Sequence, residues 1–220
     1  MIFSDRREAG RLLAQELQKY AKQPNTIVLA LPRGGVPVGF EIARALHLPL
    51  DVFLVRKLGV PDHEELAMGA IAMGDIEVLN EDIVRELNIP RVLIDQVKEK
   101  EQAVLTERNK AYRGSRPMPK IKGTTIILVD DGVATGATIR AAITALKKLG
   151  APKIIVAVPV ISYSVANELA SQVDDIVALA PLEPYSAIGA RYHDFSQTED
   201  EEVSNLLEIA RSSACDSNLK

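Results

Sequence analysis

The residues best suited to chemistry lie in one run, residues 126–138. Four apolar residues are followed by the carboxylates of Asp130 and Asp131, and then by a turn of small residues that ends in Thr-Gly-Ala-Thr. This order predicts a buried strand, a turn and the start of a helix. The unpaired N–H groups of a helix start, next to a glycine that lets the backbone come close, bind anions such as phosphate. The turn is therefore a candidate phosphate site.

The two carboxylates need a different partner, because they would repel a phosphate placed beside them. Carboxylate oxygens accept hydrogen bonds, so Asp130 and Asp131 suit the hydroxyls of a sugar. Thr135 and Thr138 add hydroxyl groups on the phosphate side of the turn. A phosphate next to a vicinal diol describes a ribose 5-phosphate. The alternative is an ordinary strand–turn–helix in which the aspartates only cap the helix, although capping needs one acid rather than two.

The segment resembles the phosphoribosyl pyrophosphate (PRPP) signature of the type I phosphoribosyltransferases: four hydrophobic residues, two acids and a turn ending T-G-x-T. The resemblance implies that Asp130 and Asp131 hold the 2- and 3-hydroxyls of the ribose. It also implies that the 5-phosphate is wrapped by consecutive residues of the turn, namely Ala134, Thr135, Gly136, Ala137 and Thr138.

A second segment, Leu-Pro-Arg-Gly-Gly at 31–35, also ends a predicted strand and opens a helix. Gly34 and Gly35 would expose amides to an anion there, and Arg33 would add charge-assisted hydrogen bonds. In the family, this position resembles the loop that binds the pyrophosphate of PRPP. A tight Gly-Gly turn with a surface arginine is the alternative.

Arg56 and Lys57 follow the next predicted strand and resemble the catalytic cations that meet the pyrophosphate in these enzymes. The alternative is a solvated basic pair at a strand end. The irregular stretch 56–75 takes the place of the family's flexible loop, which closes over PRPP and excludes water from a cation-like sugar centre. The charged residues at 62–65 in this stretch receive no role.

The acceptor of the phosphoribosyl group is less well defined. Enzymes for 6-oxopurines have an aspartate just before the T-G pair, where this sequence has Ala134. That difference argues against a hypoxanthine–guanine enzyme and leaves no general base in the loop. The acceptor pocket is expected from the irregular segment 181–197, whose Tyr185, Tyr192 and Phe195 either stack on a ring or pack in the interior.

Nearly the whole chain is similar to a group of predicted phosphoribosyltransferases of unsettled substrate. The shared features are F-x-D-R-x-E-A-G at 3–10, R-K-L-G at 56–59, E-L-A-x-G-A at 65–70 and the ending Y-H-D-F-S-Q at 192–197. These motifs add little about the nucleophile.

Alternating strands and helices predict an α/β fold, an open parallel sheet flanked by helices. The predicted strands are 26–31, 50–55, 124–129, 153–160 and 174–180, with a hairpin through 67–73 and 76–79. The predicted helices are 5–20, 36–46, 81–87, 91–112, 137–149, 163–171 and 199–210. We expect a single domain over 1–211, with a hairpin and helical insertion at 76–120, a small irregular hood at 181–197 and a disordered tail at 212–220.

Composition narrows the class of protein. A net charge of −4 in 220 residues argues against a nucleic-acid binder, which would need a basic face. No apolar run approaches the length of a membrane span, and the first residues lack a secretory pattern. Cys215 is the only cysteine, so an internal disulfide is impossible. We expect a cytoplasmic protein that binds neither membrane nor nucleic acid and that forms a homodimer, with the 81–112 helices as candidate contacts.

The predicted reaction transfers the phosphoribosyl group of PRPP to a nitrogenous acceptor, a nucleobase, and releases pyrophosphate. Magnesium is the expected cofactor, bound mainly through the anionic PRPP, and no protein metal site is predicted. One alternative is a PRPP-binding regulatory protein without transferase activity. Another is a phosphate-binding α/β enzyme of a different kind, such as a nucleotidase, although the paired acids before T-G-A-T do not favour it.

Overall fold

A computed structural model describes residues 1–184 and 186–217, without the side chains of residues 64, 65 and 214–217. The strands are β1 (Thr26–Ala30), β2 (Leu50–Val52), β3 (Val55–Val60), β4 (His63–Ala72), β5 (Ile76–Leu79), β6 (Thr125–Val129), β7 (Lys153–Ser162) and β8 (Asp175–Leu182). The helices are α1 (Arg6–Glu16), α2 (Gly35–Leu46), α3 (Glu81–Glu86), α4 (Arg91–Arg113), α5 (Ala137–Lys148), α6 (Tyr163–Leu169) and α7 (Asp200–Ser217). Short 3-10 helices lie at Gln18–Tyr20 and Ile188–Arg191.

Five parallel strands form the central sheet, in the order β2-β1-β6-β7-β8. The chain moves from β1 outward to β2 and later returns to β6 on the other side of β1. The strand order therefore reverses between β1 and β6, and such a reversal opens a crevice at the carboxyl ends of the strands. Ala30 pairs with Val129, so the segments that follow β1 and β6 leave the sheet side by side. The predicted fold class is confirmed.

Burial explains why these segments form the sheet. All five residues of β1 are buried, as are residues 126–129 of β6, because helices cover both faces of the sheet. Helix α1 begins where the sequence predicts, since the Asp5 carboxylate accepts a 2.7 Å hydrogen bond from the Glu8 amide. Helices α1 and α7 both pack on α2, which is buried along most of its length.

The region between β2 and α3 differs from the prediction. The hairpin through 67–73 and 76–79 is present as β4 and β5, but residues 56–66 are not a loop. They form β3 and the first part of β4, which pair antiparallel with irregular register around Gly59. Glycines and small residues interrupt the alternation of apolar and polar residues that would have predicted these two strands. Leu58, Val60 and Met68 are nevertheless buried. Arg56 and Lys57 therefore lie within a strand and do not follow one.

The predicted insertion helices are present as α3 and α4, and α4 packs against β3 and α7. Helix α7 continues to Ser217, so the predicted boundary of the tail at 212 was wrong; no glycine or proline interrupts this stretch. Residues 218–220 and Tyr185 lie outside the described residues. Within those residues, no helix combines the length and apolar character that a membrane span requires.

Candidate functional site

The acid pair lies at the carboxyl end of β6, beside the point where the strand order reverses. The Asp131 amide donates a 2.9 Å hydrogen bond to Oδ1 of Asp130, which fixes the first carboxylate against the backbone. Burial, reinforced by the neighbouring charge of Asp131, raises the pKa of Asp130 well above its ordinary value. Asp130 therefore retains its proton to higher pH than an ordinary aspartate does.

Asp131 is held by Arg6, a residue that the sequence did not single out. Its Oδ2 accepts a 2.8 Å hydrogen bond from Arg6 Nε, and both side chains are more than four-fifths buried. The Arg6 guanidinium also donates to the Ser196 carbonyl at 2.7 Å and lies 3.9 Å from the centre of the Phe195 ring. The available signal was the F-x-D-R-x-E-A-G motif, whose arginine follows the helix cap directly.

The loop after β1 packs on this acid pair. A Cβ at Gly34 would lie 1.9 Å from Asp131 Oδ2, and one at Gly35 would lie 2.8 Å from the Val129 carbonyl. Both glycines are thus required by close approach. The Gly35 amide donates to the Leu31 carbonyl at 3.1 Å, whereas the Gly34 amide has no acceptor among the described residues. Only the first of the two predicted amides is available to an anion.

Arg33 lies at the same loop, partly exposed, after a cis peptide bond. Its guanidinium is 3.7 Å from the Glu199 carboxylate. The Gln197 amide is satisfied only with its oxygen facing Arg33, 2.7 Å from Nη2. These contacts place the Arg33 charge beside the start of α7.

The loop after the acid pair, residues 134–138, offers backbone donors. None of its N–H groups has an acceptor among the described residues. Gly136 stands at the N-cap of α5 with a φ of 77°, and a Cβ there would lie 2.7 Å from both Arg140 Nη1 and Val165 Cγ1. The positive end of the α5 dipole adds to these donors. The arrangement suits one phosphate group, as the sequence predicts.

Two backbone carbonyls of this loop accept hydrogen bonds from side chains. The Ala134 carbonyl accepts a 3.0 Å hydrogen bond from Ser162 Oγ, and the Thr135 carbonyl accepts one of 2.7 Å from Arg140 Nη2. Bonds to the carbonyls hold the loop without using its N–H groups. The side chains of Ala134, Thr135 and Thr138 are exposed. Because Ala134 has only a methyl side chain, this loop position offers no acid or base to an acceptor.

The two predicted catalytic cations differ in their surroundings. Arg56 donates to Glu101 of α4 from Nε at 2.6 Å, and its Nη2 is 2.5 Å from the same carboxylate oxygen. Lys57 is exposed and lines two clefts of about 430 and 570 Å³, which also share Val55 and Thr138. Thr138 links both clefts to the loop at 134–138, so Lys57 lies beside the predicted site.

Aromatic residues of the hood segment, 181–197, pack beside the acid pair. The buried Tyr192 hydroxyl donates a 2.6 Å hydrogen bond to the Asp131 carbonyl, and its ring packs between Phe3 and Phe195 at centroid distances of 5.5 and 4.9 Å. Of the two uses considered for these aromatics, packing is the one observed for Tyr192 and Phe195. Tyr185 is outside the described residues.

The fold and this site together define the class of protein. Residues 77–177 match the family model described as a phosphoribosyl transferase domain. The chain belongs to the type I phosphoribosyltransferase family.

Individual relatives agree with this assignment. The chain is 42% identical over 209 residues to the Mycobacterium tuberculosis protein named "Putative phosphoribosyl transferase Rv0571c", a match that covers 95% of this chain and 47% of that protein. The chain thus spans about half the length of the curated relatives it matches. It is 40% identical to the solved structure of TT1426 from Thermus thermophilus, with a TM-score of 0.83 over 94% of this chain and 98% of that one. AQ2163 from Aquifex aeolicus shares the fold alone, at 12% identity and a TM-score of 0.51 over 92% and 84% of the two chains.

Proposed function

We propose that the chain transfers the phosphoribosyl group of PRPP to a nitrogen nucleophile, a nucleobase, and releases pyrophosphate. The observation that carries the proposal is the meeting of two loops at one sheet edge. One loop supplies two carboxylates and a row of unpaired N–H groups, and the other supplies a glycine amide and an arginine. Those groups match the diol, the 5-phosphate and the pyrophosphate of one ligand.

In this proposal each part of PRPP has a partner. The N–H groups of residues 134–138 bind the 5-phosphate, and Asp130 accepts from the ribose hydroxyls, with Asp131 beside it. Gly34, Arg33 and Lys57 bind the pyrophosphate. The bond from the anomeric carbon to the pyrophosphate oxygen breaks, a bond from the acceptor nitrogen to that carbon forms, and the nitrogen loses its proton to solvent. The protein's contribution is positioning and charge stabilisation.

Magnesium fits this site as an ion that the substrate itself coordinates. The described residues bring together no group of three histidine, cysteine, aspartate or glutamate side chains that could hold an ion. Carboxylate oxygens of the acid pair adjoin the sugar position and are ligands of the type that Mg²⁺ accepts. The ion, held mainly by PRPP oxygens, would neutralise the leaving pyrophosphate.

The acceptor remains the broadest part of the proposal. Ala134 supplies no base, and the described hood aromatics are engaged in packing, so the acceptor is proposed as a nitrogen nucleophile that needs no proton removal by this loop. The reaction class stands on the PRPP site and not on an acceptor pocket.

A titration of the purified protein with PRPP and Mg²⁺ tests the proposal. The double variant Asp130→Asn plus Asp131→Asn should lose detectable binding, while Asp82→Asn on the exposed face of α3 should bind like the wild type. Unchanged binding in the double variant would reject the site. Release of pyrophosphate in the presence of purines, pyrimidines or amines then identifies the acceptor. Binding without release for every acceptor would favour the regulatory alternative.

A cytoplasmic homodimer belongs to the same proposal. Leu87, Val92 and Leu93, where α3 meets α4, are large apolar side chains exposed by 37–66%. Light scattering of the wild type and of a Val92→Glu variant would test the dimer: the variant should be monomeric, and a monomeric wild type would reject the contact.

A further inference from the structure

Helix α4 carries an arginine on the face that it buries. Ile94, Leu105 and Tyr112 of this helix are buried. Arg108 lies three residues after Leu105 and four before Tyr112, so it shares their face. It is half-buried there, between two apolar neighbours. Charged side chains are rarely buried without a partner, so a cation at a core-facing helix position is expected to have one.

Arg108 makes no hydrogen bond or ion pair with the rest of the described chain. Its neighbours in the region are matched: Arg56 is bound to Glu101, and the buried Arg113 donates to both carboxylate oxygens of Asp51, at 2.9 and 3.1 Å. Partial burial of a guanidinium without a counter-charge costs free energy. An anion from outside the chain would remove that cost.

The position of Arg108 shows where such an anion would bind. Arg108 lines a narrow crevice together with Pro32 of the loop after β1, Arg56 of β3 and Thr138 of the phosphate loop. The crevice, about 20 Å³, has room for about one water. It shares Arg56 and Thr138 with the 570 Å³ cleft, which is large enough for an organic phosphate.

Electrostatic contacts agree with this placement. Burial raises the pKa of the Tyr112 hydroxyl, and the charges of Arg108 and Arg33 both act in the opposite direction. The two guanidinium groups therefore lie near the same hydroxyl, one from the inserted helix and the other from the loop after β1. Arg56 and Arg108 thus line the crevice beside Pro32, and Arg33 acts on the same Tyr112 hydroxyl as Arg108.

We propose that Arg108 is a binding residue for the pyrophosphate group of PRPP, so that the inserted helix α4 completes the substrate site. The inference rests on the proposed function and gives the insertion a role besides the dimer contact that the sequence suggested. Glu101 neutralises Arg56, so Arg108 supplies the positive charge for the pyrophosphate. Its binding partner is the pyrophosphate, and it takes no part in holding the ribose 5-phosphate.

The test compares two ligands that differ only in the pyrophosphate, PRPP and ribose 5-phosphate, by calorimetric titration with Mg²⁺. Arg108→Gln should weaken PRPP binding about 10- to 100-fold, the range for loss of a charge-assisted hydrogen bond, and leave ribose 5-phosphate binding unchanged. Arg108→Lys should retain part of the lost affinity. Lys110→Gln, an exposed position on the same helix, is the matched control and should bind both ligands like the wild type.

Three results would overturn the inference. Equal weakening of both ligands by Arg108→Gln would show that the residue acts through the fold. Unchanged PRPP affinity would show that it does not contact the ligand. A wild-type protein that does not bind PRPP would reject the proposed function itself, and this result differs from the other two because it appears without any substitution.

Discussion

The proposed ribose end and the proposed pyrophosphate end of the site are built in different ways. At the ribose end, protein contacts hold Asp131: the Arg6 hydrogen bond, the close approach of Gly34 and the Tyr192 hydroxyl on its carbonyl. At the pyrophosphate end, Lys57 is exposed and Arg108 has no partner among the described residues. The comparison predicts that the proposed ribose end is organised before binding, whereas the proposed pyrophosphate end presents an exposed lysine and a half-buried arginine to the ligand.

The largest expected effect is at Gly34. In Gly34→Ala the new Cβ would lie 1.9 Å from Asp131 Oδ2, so the loop or the carboxylate must move. We expect PRPP affinity to fall more than about 100-fold and stability to fall by about 1–3 kcal/mol, the usual cost of overpacking. Calorimetric titration and chemical denaturation measure the two quantities.

Gly39→Ala, within the helix α2 that Gly34 precedes, is the control for this change. A Cβ there meets only side-chain atoms, at 3.1 Å and beyond, and alanine favours a helix. The control should keep PRPP affinity. Wild-type affinity in Gly34→Ala as well would show that the ribose end tolerates rearrangement and is not organised in advance.

Arg6→Gln should have the next largest effect, because it leaves the mostly buried Asp131 carboxylate without its cation. We expect a loss of about 3 kcal/mol in the free energy of unfolding and at least about tenfold weaker PRPP binding. Arg7→Gln is the matched control: Arg7 is 41% exposed and its ion pairs are 3.6 and 4.0 Å long, so its cost should stay below about 1 kcal/mol. Similar costs for the two variants would remove Arg6 from the account.

The pH dependence distinguishes a retained proton from an ordinary carboxylate. Burial raises the folded-state pKa of Asp130, so the native state keeps a proton that the unfolded chain loses near pH ~4. The free energy of unfolding should therefore fall as pH rises from about 4 through the raised pKa, and Asp130→Asn should reduce this slope. PRPP affinity should rise over the same interval, by up to about tenfold for each pH unit, as the carboxylate ionises.

Arg6 offers a second check on this titration. Its charge partly opposes the burial effect on the pKa of Asp130, so Arg6→Gln should move the binding transition to higher pH. Denaturation curves measured across pH for the wild type and Asp130→Asn show whether folded Asp130 retains its proton above pH ~4. Parallel curves would mean that Asp130 is an ordinary exposed acid.

The smallest effect is expected at Glu101. Glu101→Gln removes the charge that holds Arg56, so Arg56 becomes available to the pyrophosphate. A partly exposed ion pair is worth about 0.2–1 kcal/mol, so PRPP affinity should rise about two- to fivefold. Glu107→Gln, at an exposed position of the same helix, should change nothing. Weaker PRPP binding in Glu101→Gln would mean that Glu101 holds Arg56 in its binding position.

The sequence predicted the parts of the site that are local in the chain. Residues 126–138 form a strand, an acid pair and a helix start, and such a pattern is visible in consecutive residues. Arg6 was missed because its partner Asp131 is 125 residues away. Tyr192 was named as a stacking or packing aromatic, but its hydrogen bond to the Asp131 carbonyl was missed because the two residues are 61 positions apart. Such contacts depend on how the helices and the hood fold back over the sheet.

The error at 56–66 has a different cause. The antiparallel strands there are stabilised by pairing and by packing on α4 and α5, which outweigh the weak strand signal of a segment rich in glycine and charge. The same packing explains Arg108. One more cation in a long charged helix is ordinary in sequence, and what distinguishes Arg108 is a half-buried position without a partner among the described residues.

The most direct test of the central claim is a crystal structure of the protein with PRPP and Mg²⁺. We expect the 5-phosphate oxygens at about 3 Å from the backbone nitrogens of residues 134–138, and a ribose hydroxyl at a similar distance from an Asp130 carboxylate oxygen. PRPP bound elsewhere, or bound with its pyrophosphate in the loop at 134–138, would contradict the account.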